Sequence, residues 1–237
     1  MITKTIQTNS NIRLAIVGGY IRDLLINKIY KNESLKSIDI DIVIEGSALS
    51  LAHFIKKNIS NVDLCLIKEF EMYNTVELNI DHIKIDIASA RKEKYFSPGL
   101  NPLISDCSIK EDLKRRDFTI NAIAYELSQK EIYDFHNGII HIYKKELHLL
   151  HKNSISDDPS RLLRCAKYAS RLGFEIAKNS LDQSKETVKE WPWRFKEENF
   201  SKFPPGISIR IRMELTEVFA HEDLTKVIKK LDSWNLI

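Results

Sequence analysis

The most informative part of the sequence is Ser37-Ile38-Asp39-Ile40-Asp41-Ile42-Val43, which follows the paired-glycine turn Val17-Gly18-Gly19-Tyr20-Ile21-Arg22-Asp23. Alternate side chains of a β-strand point to the same face, so Asp39 and Asp41 are predicted to project together while Ile38, Ile40 and Ile42 enter the core. Two adjacent carboxylates repel each other unless a positive charge lies between them. Because Mg²⁺ prefers hard oxygen ligands, the pair predicts a magnesium site of the kind that metal-dependent phosphoryl transfer requires.

The composition is that of an ordinary globular protein. The chain has 237 residues, of which 43% are hydrophobic and 29% charged, enough for one large domain or two small ones. A net charge of +3 permits an anionic partner without requiring one. Three widely spaced cysteines form no disulfide framework or metal spacing, which predicts a reducing, cytoplasmic location. No apolar run approaches the ~20 residues needed to cross a bilayer, so no membrane partner is expected.

The pattern of apolar residues predicts a sheet-rich first part and a helical second part. The predicted strands are 13–17, 38–44, 62–67, 73–80 and 82–88, and the predicted helices are 20–28, 48–58 and 207–219. A further helix begins at Asp158-Pro159 and stops at Gly173. Residues 91–110 are predicted to be a loop, the pattern turns helical from about residue 111, and a second break falls at 191–206. The predicted division is 1–140 for the sheet domain and 141–237 for the helical domain.

A third acid and the glycine turn supply further candidates for the same site. Asp86 lies among alternating isoleucines on another predicted strand, and three carboxylates converge, enough for a two-metal site, if this strand neighbours the first. Gly18 and Gly19 let a backbone approach phosphate closely, and Arg22 lies within reach of the same anion. Each feature also has a plainer interpretation, namely a simple turn or the solvated face of an edge strand.

Two basic segments carry the remaining polar candidates. Residues 113–125 are either an amphipathic helix with a basic start or a set of polar groups that hold ribose and triphosphate. Residues 157–168 carry basic side chains every three residues, on one helix face. These are Arg161, Arg164 and Lys167. Asp158 is alternatively a helix N-cap, and the basic stripe is alternatively a solvated surface.

Taken in order, these segments resemble the nucleotidyltransferase family that contains class II tRNA CCA-adding enzymes and bacterial poly(A) polymerases, within the DNA polymerase β superfamily. The matching segments are 18–23 with 39–41 (catalytic motif), Arg115-Arg116-Asp117-Phe118-Thr119-Ile120-Asn121-Ala122 (ribose motif), 133–138 (hinge motif, without its Pro and one Gly), 157–161 (base-selecting motif, with Asp157 in place of Glu) and 209–215 (neck motif). The resemblance implies an α+β fold: a DNA polymerase β-like nucleotidyltransferase head, with a mixed β-sheet and flanking helices, followed by an all-helical neck.

The resemblance also implies a role for each candidate. Asp39 and Asp41 would bind Mg²⁺ and activate an RNA 3′-hydroxyl for attack on the α-phosphate of CTP or ATP, with pyrophosphate leaving, and Asp86 would be a further metal ligand. The nucleotide-binding residues would be Gly18, Gly19, Arg22, Arg116, Asp117, Asn121, Asp158, Arg161, Arg164 and Lys167. Lys167 stands where the family usually has a third Arg, so it keeps the charge without the bidentate fork.

Within that family, Asp158 and Arg161 would select the base, and the chemistry of the bases supports this. Cytosine and adenine both present an exocyclic amine beside a ring-nitrogen acceptor, which a carboxylate and a guanidinium can pair. Uracil and guanine reverse both contacts, and each mispaired buried group costs roughly 1–3 kcal/mol. Arg161→Ala is therefore predicted to relax base choice more than it slows transfer.

Several alternatives stay open at this point. The family includes members that add C, CC, A, CCA or poly(A), so a poly(A) polymerase is the nearest alternative. A non-catalytic RNA-binding subunit that keeps the head fold is another, and an enzyme that modifies proteins or small molecules is a third. Only about twenty residues follow Leu215, whereas the family normally carries further helices that grip tRNA. Four expectations therefore stay open: the chain acts on a shorter RNA, binds tRNA weakly, forms a homo-oligomer, or uses a helper protein to bind tRNA or another RNA.

Overall fold

The computed structural model describes residues 13–31, 35, 39–58, 64–97, 99–190 and 205–237. Its strands are β1 (Leu14–Val17), β2 (Ile40–Ile44), β3 (Leu64–Phe70), β4 (Thr75–Ile80), β5 (Ile83–Ser89), β6 (Arg91–Lys94), β7 (Leu103–Asp106), β8 (Ala124–Glu126), β9 (Glu131–Tyr133), β10 (Glu146–Leu147) and β11 (Glu175–Ile176). Its helices are α1 (Gly19–Tyr30), α2 (Ala48–Asn58), α3 (Ile109–Leu113), α4 (Gly138–Lys144), α5 (Ser154–Asp157), α6 (Ser160–Leu172), α7 (Lys178–Lys189), α8 (Pro205–His221) and α9 (Leu224–Ser233).

The chain forms two compact units that interleave along the sequence. The first unit contains the described residues up to Glu93, together with Ile104–Arg116 and Ile120–Ile142. The second contains Lys94–Leu103, Asp117–Thr119 and the described residues from Tyr143 onward. The division into domains at residue 140 stays a prediction.

The first unit is built on a seven-stranded mixed sheet with the strand order β3-β4-β5-β2-β1-β8-β9. Its neighbouring strands are antiparallel, except for β2 and β5, which run parallel. The strands predicted from the alternating pattern are therefore confirmed, and so is the mixed sheet. Ile38, which was predicted to enter the core, lies outside the described residues.

Alternation along the strands gives this sheet one apolar and one polar face. Ile44, Leu78 and Ile87 belong to a buried cluster with Leu51 and Ile55 of α2. The partly buried isoleucines at positions 40 and 42 pack against the same cluster, as predicted. Because successive residues of a strand point to opposite faces, the side chains between these isoleucines point away from α2. The acids of the candidate site are therefore carried on the opposite face of the sheet.

Two sequence predictions about the middle of the chain were wrong. Residues 91–110 are not a simple loop, because β6 and β7 pair with each other there and α3 begins at Ile109. The chain does not become helical at residue 111 either. After α3 it forms a 3₁₀ turn, Thr119–Asn121, and then adds β8 and β9 to the main sheet. The apolar run around Ile123 is completely buried, and pairing of β8 with β1 outweighs its helical spacing.

The second unit is mainly helical. Helix α6 packs against α8 and α9, and it ends at Gly173, which adopts a left-handed conformation with φ 66°, as predicted. The neck was predicted to be all-helical, but among its described residues two short strands also occur. They are β10 and β11, which pair in parallel over two residues. The predicted break at 191–206 lies almost entirely outside the described residues. None of the helices that are described has the length and apolar character needed to cross a bilayer.

Candidate functional site

The structure brings two of the three predicted acids side by side on the polar face of the sheet. Asp41 lies on β2, paired with Val17 of β1 and, on the other side, with Asp86 of β5. Asp39 precedes β2, is exposed, and interacts electrostatically with both of these acids. The parallel pairing of β2 with β5, which the sequence left open, thus places Asp86 next to Asp41.

The pKa values of Asp41 and Asp86 are both raised in this arrangement. Burial raises the pKa of Asp41 above its ordinary value, and the negative charges of Asp86 and Asp39 raise it further, against the opposing charge of Arg116. Burial also raises the pKa of Asp86, where the main opposing charge is Lys84. The Lys84 Nζ lies 3.6 Å from Asp86 Oδ2 and 3.7 Å from Glu77 Oε1. The acids therefore favour a further cation nearby.

The donor set fits a magnesium ion shared with a substrate. In the described part of the chain, no three His, Cys, Asp or Glu side chains are grouped closely enough to hold a metal by themselves. Mg²⁺ does not require such a cage, because proteins usually bind it through one or two carboxylates and complete its shell with water and substrate phosphates. Asp39 and Asp41 are suited to this role, and Asp86 is held toward Lys84 instead.

The glycine turn brings the backbone against the acids. Gly18 has φ +73°, and a Cβ there would lie 3.1 Å from Asp41 Oδ2 and 3.5 Å from a terminal nitrogen of Arg116. Both the backbone conformation and the space therefore require glycine. Gly19 opens α1, whose first N–H groups are the ones that bind anions at helix N-termini.

Arg22 does not lie free on the surface of α1. It is only 3% exposed, donates from its Nε to Asp23 at 2.7 Å, and donates from a terminal nitrogen to Asn121 Oδ1 at 2.8 Å. Two residues predicted to bind nucleotide are thus joined to each other across 99 positions of sequence. This contact ties the glycine turn to the 3₁₀ turn of the ribose-like motif.

Arg116 is anchored by an acid that the sequence analysis missed. Asp112 is completely buried and accepts hydrogen bonds from Arg115 at 2.7 and 2.9 Å and from Arg116 at 3.1 Å. Burial alone would raise the pKa of Asp112, but the two guanidinium groups and the Arg91 N–H outweigh it and lower that pKa. The signal was present in the sequence, since Asp112 stands three and four residues before the arginines, the spacing of neighbours on a helix surface, although α3 ends at Leu113 and both arginines follow it.

The Arg116 side chain is also incompletely satisfied. Within the described residues its buried Nε has no hydrogen-bond partner, which is uncommon for a buried donor, so this N–H is available to an acceptor. The same side chain lines a cavity of about 380 Å³ on the polar face of the sheet. The cavity is lined by Val17, Asp41, Ile42, Val43, Phe70, Thr75, Val76, Glu77, Asp86, Ile87, Ala88 and Arg116.

In the second unit, the candidate base-selecting residues lie at the start of α6. Oδ1 of Asp158 accepts hydrogen bonds from the backbone N–H of Ser160 at 3.1 Å and from its hydroxyl at 2.7 Å. Arg161 is 6% exposed and donates to Ser154 Oγ at 2.7 Å, with His151 Nε2 3.3 Å away. Both side chains are therefore held in place by neighbours that the sequence analysis did not identify.

The next two basic residues of α6 are paired with acids. Arg164 donates from Nε to Asp117 at 2.7 Å and from a terminal nitrogen to Glu214 at 2.8 Å, and Lys167 donates to the other oxygen of Glu214 at 2.7 Å. Burial disfavours the charge of Arg164, but Asp117 and Glu214 raise the pKa of its guanidinium. Arg164, Lys167, Asp117 and Glu214 thus form one network. Glu214 lies in the neck motif, but the sequence analysis gave it no role.

The chain is similar to several known proteins. Residues 14–148 match the family described as Poly A polymerase head domain. The A-adding tRNA nucleotidyltransferase of Aquifex aeolicus is 34% identical over 180 residues, which are 75% of this chain and 20% of that protein. The CC-adding tRNA nucleotidyltransferase of Deinococcus radiodurans is 34% identical over 179 residues, which are 72% of this chain and 44% of that protein.

Two solved structures extend the likeness to the whole chain. A CCA-adding enzyme in its apo form II has a TM-score of 0.78 at 30% identity, covering 99% of this chain and 51% of that one. A tRNA nucleotidyltransferase complexed with a primer tRNA and an incoming ATP analog has a TM-score of 0.76 at 26% identity, and the match covers 100% of this chain and 61% of that one. The chain spans between a fifth and three-fifths of the length of these four relatives.

Proposed function

Since the chain belongs to the family of poly A polymerase head domains, we propose that it is a Mg²⁺-dependent nucleotidyltransferase that adds C or A nucleotides to the 3′ end of tRNA. The oxygen of the RNA 3′-hydroxyl forms a new bond to the α-phosphorus of CTP or ATP, and the bond from that phosphorus to pyrophosphate breaks. Relatives named as A-adding and CC-adding tRNA enzymes support tRNA as the acceptor in preference to a poly(A) tail.

The observation that carries this proposal is that Asp41 and Arg116 line one cavity and both lie against Gly18. Asp39 and Asp41 would hold the metal, which supplies positive charge to the reacting phosphate and the attacking hydroxyl. Arg116, with its unsatisfied buried Nε, would bind a phosphate or ribose oxygen of the nucleotide. A scaffold protein would have no need for the two repelling, partly buried carboxylates of Asp41 and Asp86 at such a cavity.

Base selection is assigned to the start of α6. Both hydrogen bonds from Ser160 go to Oδ1 of Asp158, so we assign Oδ2 to the exocyclic amine shared by cytosine and adenine. Arg161 would donate to the ring nitrogen beside that amine. Arg22 and Asn121 support the glycine turn through their mutual hydrogen bond, and Arg164 with Lys167 supports α6 through Glu214.

A nucleotide-addition assay tests this function directly. The full chain is incubated with Mg²⁺, one labelled nucleotide at a time, and tRNAs that end before the first C, before the second C or before the A. We expect incorporation of CTP, ATP or both, and no incorporation of UTP or GTP. Asp41→Asn should abolish it, whereas Asp182→Asn, an exposed acid of α7, should behave as wild type.

The outcomes separate the alternatives. Untemplated addition of many A residues to any RNA would identify a poly(A) polymerase. RNA binding without incorporation, unchanged by Asp41→Asn, would identify a non-catalytic subunit. Incorporation that Arg161→Ala lowers equally for all four nucleotides would remove the base-selecting role and leave the transfer chemistry in place.

A further inference from the structure

The cavity that contains Asp41 extends across the sheet to an exposed aromatic ring. Phe70 belongs to its lining and lies at the end of the edge strand β3. Phe70, Thr75, Ala88 and Val43 stand in register across β3, β4, β5 and β2. With about 4.8 Å between neighbouring strands, Phe70 lies about 14 Å from the strand that carries Asp41.

Phe70 has the surroundings of a ring that stacks on a ligand. Its side chain is 39% exposed, although phenylalanine is among the residues most often buried. The exposed Lys68, two positions earlier on the same face of β3, places its Nζ 4.5 Å from the ring centroid. A ring and an ammonium group held together in this way can bind one nucleotide, the ring through its base and the ammonium through its phosphate.

The charges along the cavity permit a polyanion to follow this path. Two acids of the lining, Glu77 on β4 and Asp86 on β5, lie between Phe70 and Asp41 in strand order. The Nζ of Lys84 lies 3.7 Å from Glu77 Oε1 and 3.6 Å from Asp86 Oδ2. The lining residues in register with Phe70, namely Thr75, Ala88 and Val43, carry no charge. Lys84 therefore offsets part of the negative charge on the way to Asp41, and at the Asp41 end Arg116 and the proposed metal ion would act in the same direction.

We propose that Phe70 and Lys68 form a stacking platform for single-stranded RNA, holding a base upstream of the nucleotide whose 3′-hydroxyl reacts at Asp41. The inference rests on the proposed function and adds to it the course of the acceptor strand over the sheet. At about 3.4 Å per stacked nucleotide, a span of about 14 Å corresponds to roughly four nucleotides, and to fewer if the strand is extended. The platform reads no sequence, because every base has a face on which a ring can stack.

The experiment measures RNA binding apart from chemistry. A short single-stranded RNA with the acceptor sequence carries 2-aminopurine at each of its last positions in turn, and its anisotropy and fluorescence are followed as the full chain is added without nucleotide. Phe70→Ala should raise the Kd for RNA roughly 5- to 150-fold, the range found when stacking aromatics are replaced by alanine. It should also abolish the quenching of 2-aminopurine at one position.

Two further variants of this residue separate stacking from structure. Phe70→Trp should keep the affinity and the quenching, whereas Phe70→Leu keeps an apolar side chain and should lose both. The matched control is Phe135→Ala. Phe135 is 45% exposed and has the Nζ of Lys110 5.1 Å from its ring centroid, but it does not line the cavity. Its loss should leave RNA affinity unchanged.

The outcomes are distinct. If Phe70→Ala binds RNA and quenches 2-aminopurine as wild type does, the platform is wrong, and the proposed function stands provided that wild type still extends tRNA. A rise in the KM for ATP with an unchanged Kd for RNA would assign the ring to the incoming nucleotide and would equally overturn the platform. A wild-type chain that extends no RNA overturns the proposed function, and the platform falls with it.

Discussion

Replacing Asp112 by asparagine is expected to weaken both the fold of the first unit and its affinity for nucleotide. The carboxylate is completely buried and accepts hydrogen bonds from Arg115, Arg116 and the Arg91 backbone N–H. An amide of the same shape keeps one acceptor but turns an NH₂ group toward a guanidinium. The two arginines lose their shared counter-charge and Arg116 loses its anchor.

The size of the effect follows from the geometry. Breaking a buried ion pair costs about 3–5 kcal/mol, but the side chains of Arg115 and Arg116 are 21% and 18% exposed and can be partly solvated. We therefore expect the free energy of unfolding to fall by about 2–4 kcal/mol. The lower end of this range corresponds to the loss of hydrogen bonds to charged groups without further cost. With a urea m-value of about 2 kcal/mol/M, the midpoint falls by roughly 1–2 M.

Urea unfolding and steady-state kinetics measure the two effects separately. The KM for ATP should rise about tenfold, which corresponds to about 1.4 kcal/mol, while Asp112→Glu should recover part of it. Glu111→Gln, on the exposed side of the same helix, should change neither quantity. An unchanged midpoint would refute the energetic reasoning, and a lowered midpoint with an unchanged KM would show that Asp112 supports the fold without positioning Arg116.

The pH dependence of stability offers an independent check on the same residue. Since Arg116 and Arg115 lower the pKa of Asp112 in the folded protein despite its burial, its contribution is present above the unfolded value of about 3.9 and is lost as the pH falls through the folded value. Wild type should therefore lose more stability than Asp112→Asn does when the pH is lowered below about 4.

Three more outcomes are expected. Asp41→Asn should raise the thermal midpoint of the metal-free chain, because partial burial and the charges of Asp86 and Asp39 raise the pKa of Asp41. It should also remove the stabilisation by Mg²⁺, about 2.7 kcal/mol for wild type at a hundred times Kd, and equal stabilisation of both chains would disprove the metal assignment. Burial and Arg161 lower the pKa of His151 to about 4, so the free energy of unfolding should fall as the pH drops from about 6.5 to about 4. If urea unfolding of His151→Gln showed the same dependence on pH, His151 would not be the cause. Glu214→Gln should lower the free energy of unfolding by about 1–3 kcal/mol through Arg164 and Lys167, whereas Glu217→Gln, exposed on the same helix, should not; similar urea midpoints for the two variants would rule out the network.

Much of the site could be predicted because its parts are local. Asp39, Asp41, the Gly18 turn and the ribose-like motif each occupy a few consecutive residues, and the spacing alone places their side chains on one face of a strand or at one turn. The errors arose where local and long-range preferences disagree. Residues near Ile123 have helical spacing, yet β8 pairs with β1 because the sheet offers them backbone partners and complete burial.

Strands β1 to β5, the acid pair, the glycine that its turn requires and the family resemblance were predicted from the amino-acid sequence, whereas β6 to β11 were not. Three contacts became visible in the folded chain alone: Asp86 lies beside Asp41, Arg22 reaches Asn121, and Glu214 holds Arg164 and Lys167. The physical reason is that periodicity fixes the direction of a side chain relative to its own backbone. Which side chain it meets depends on strand order and helix packing, which join residues far apart in the chain.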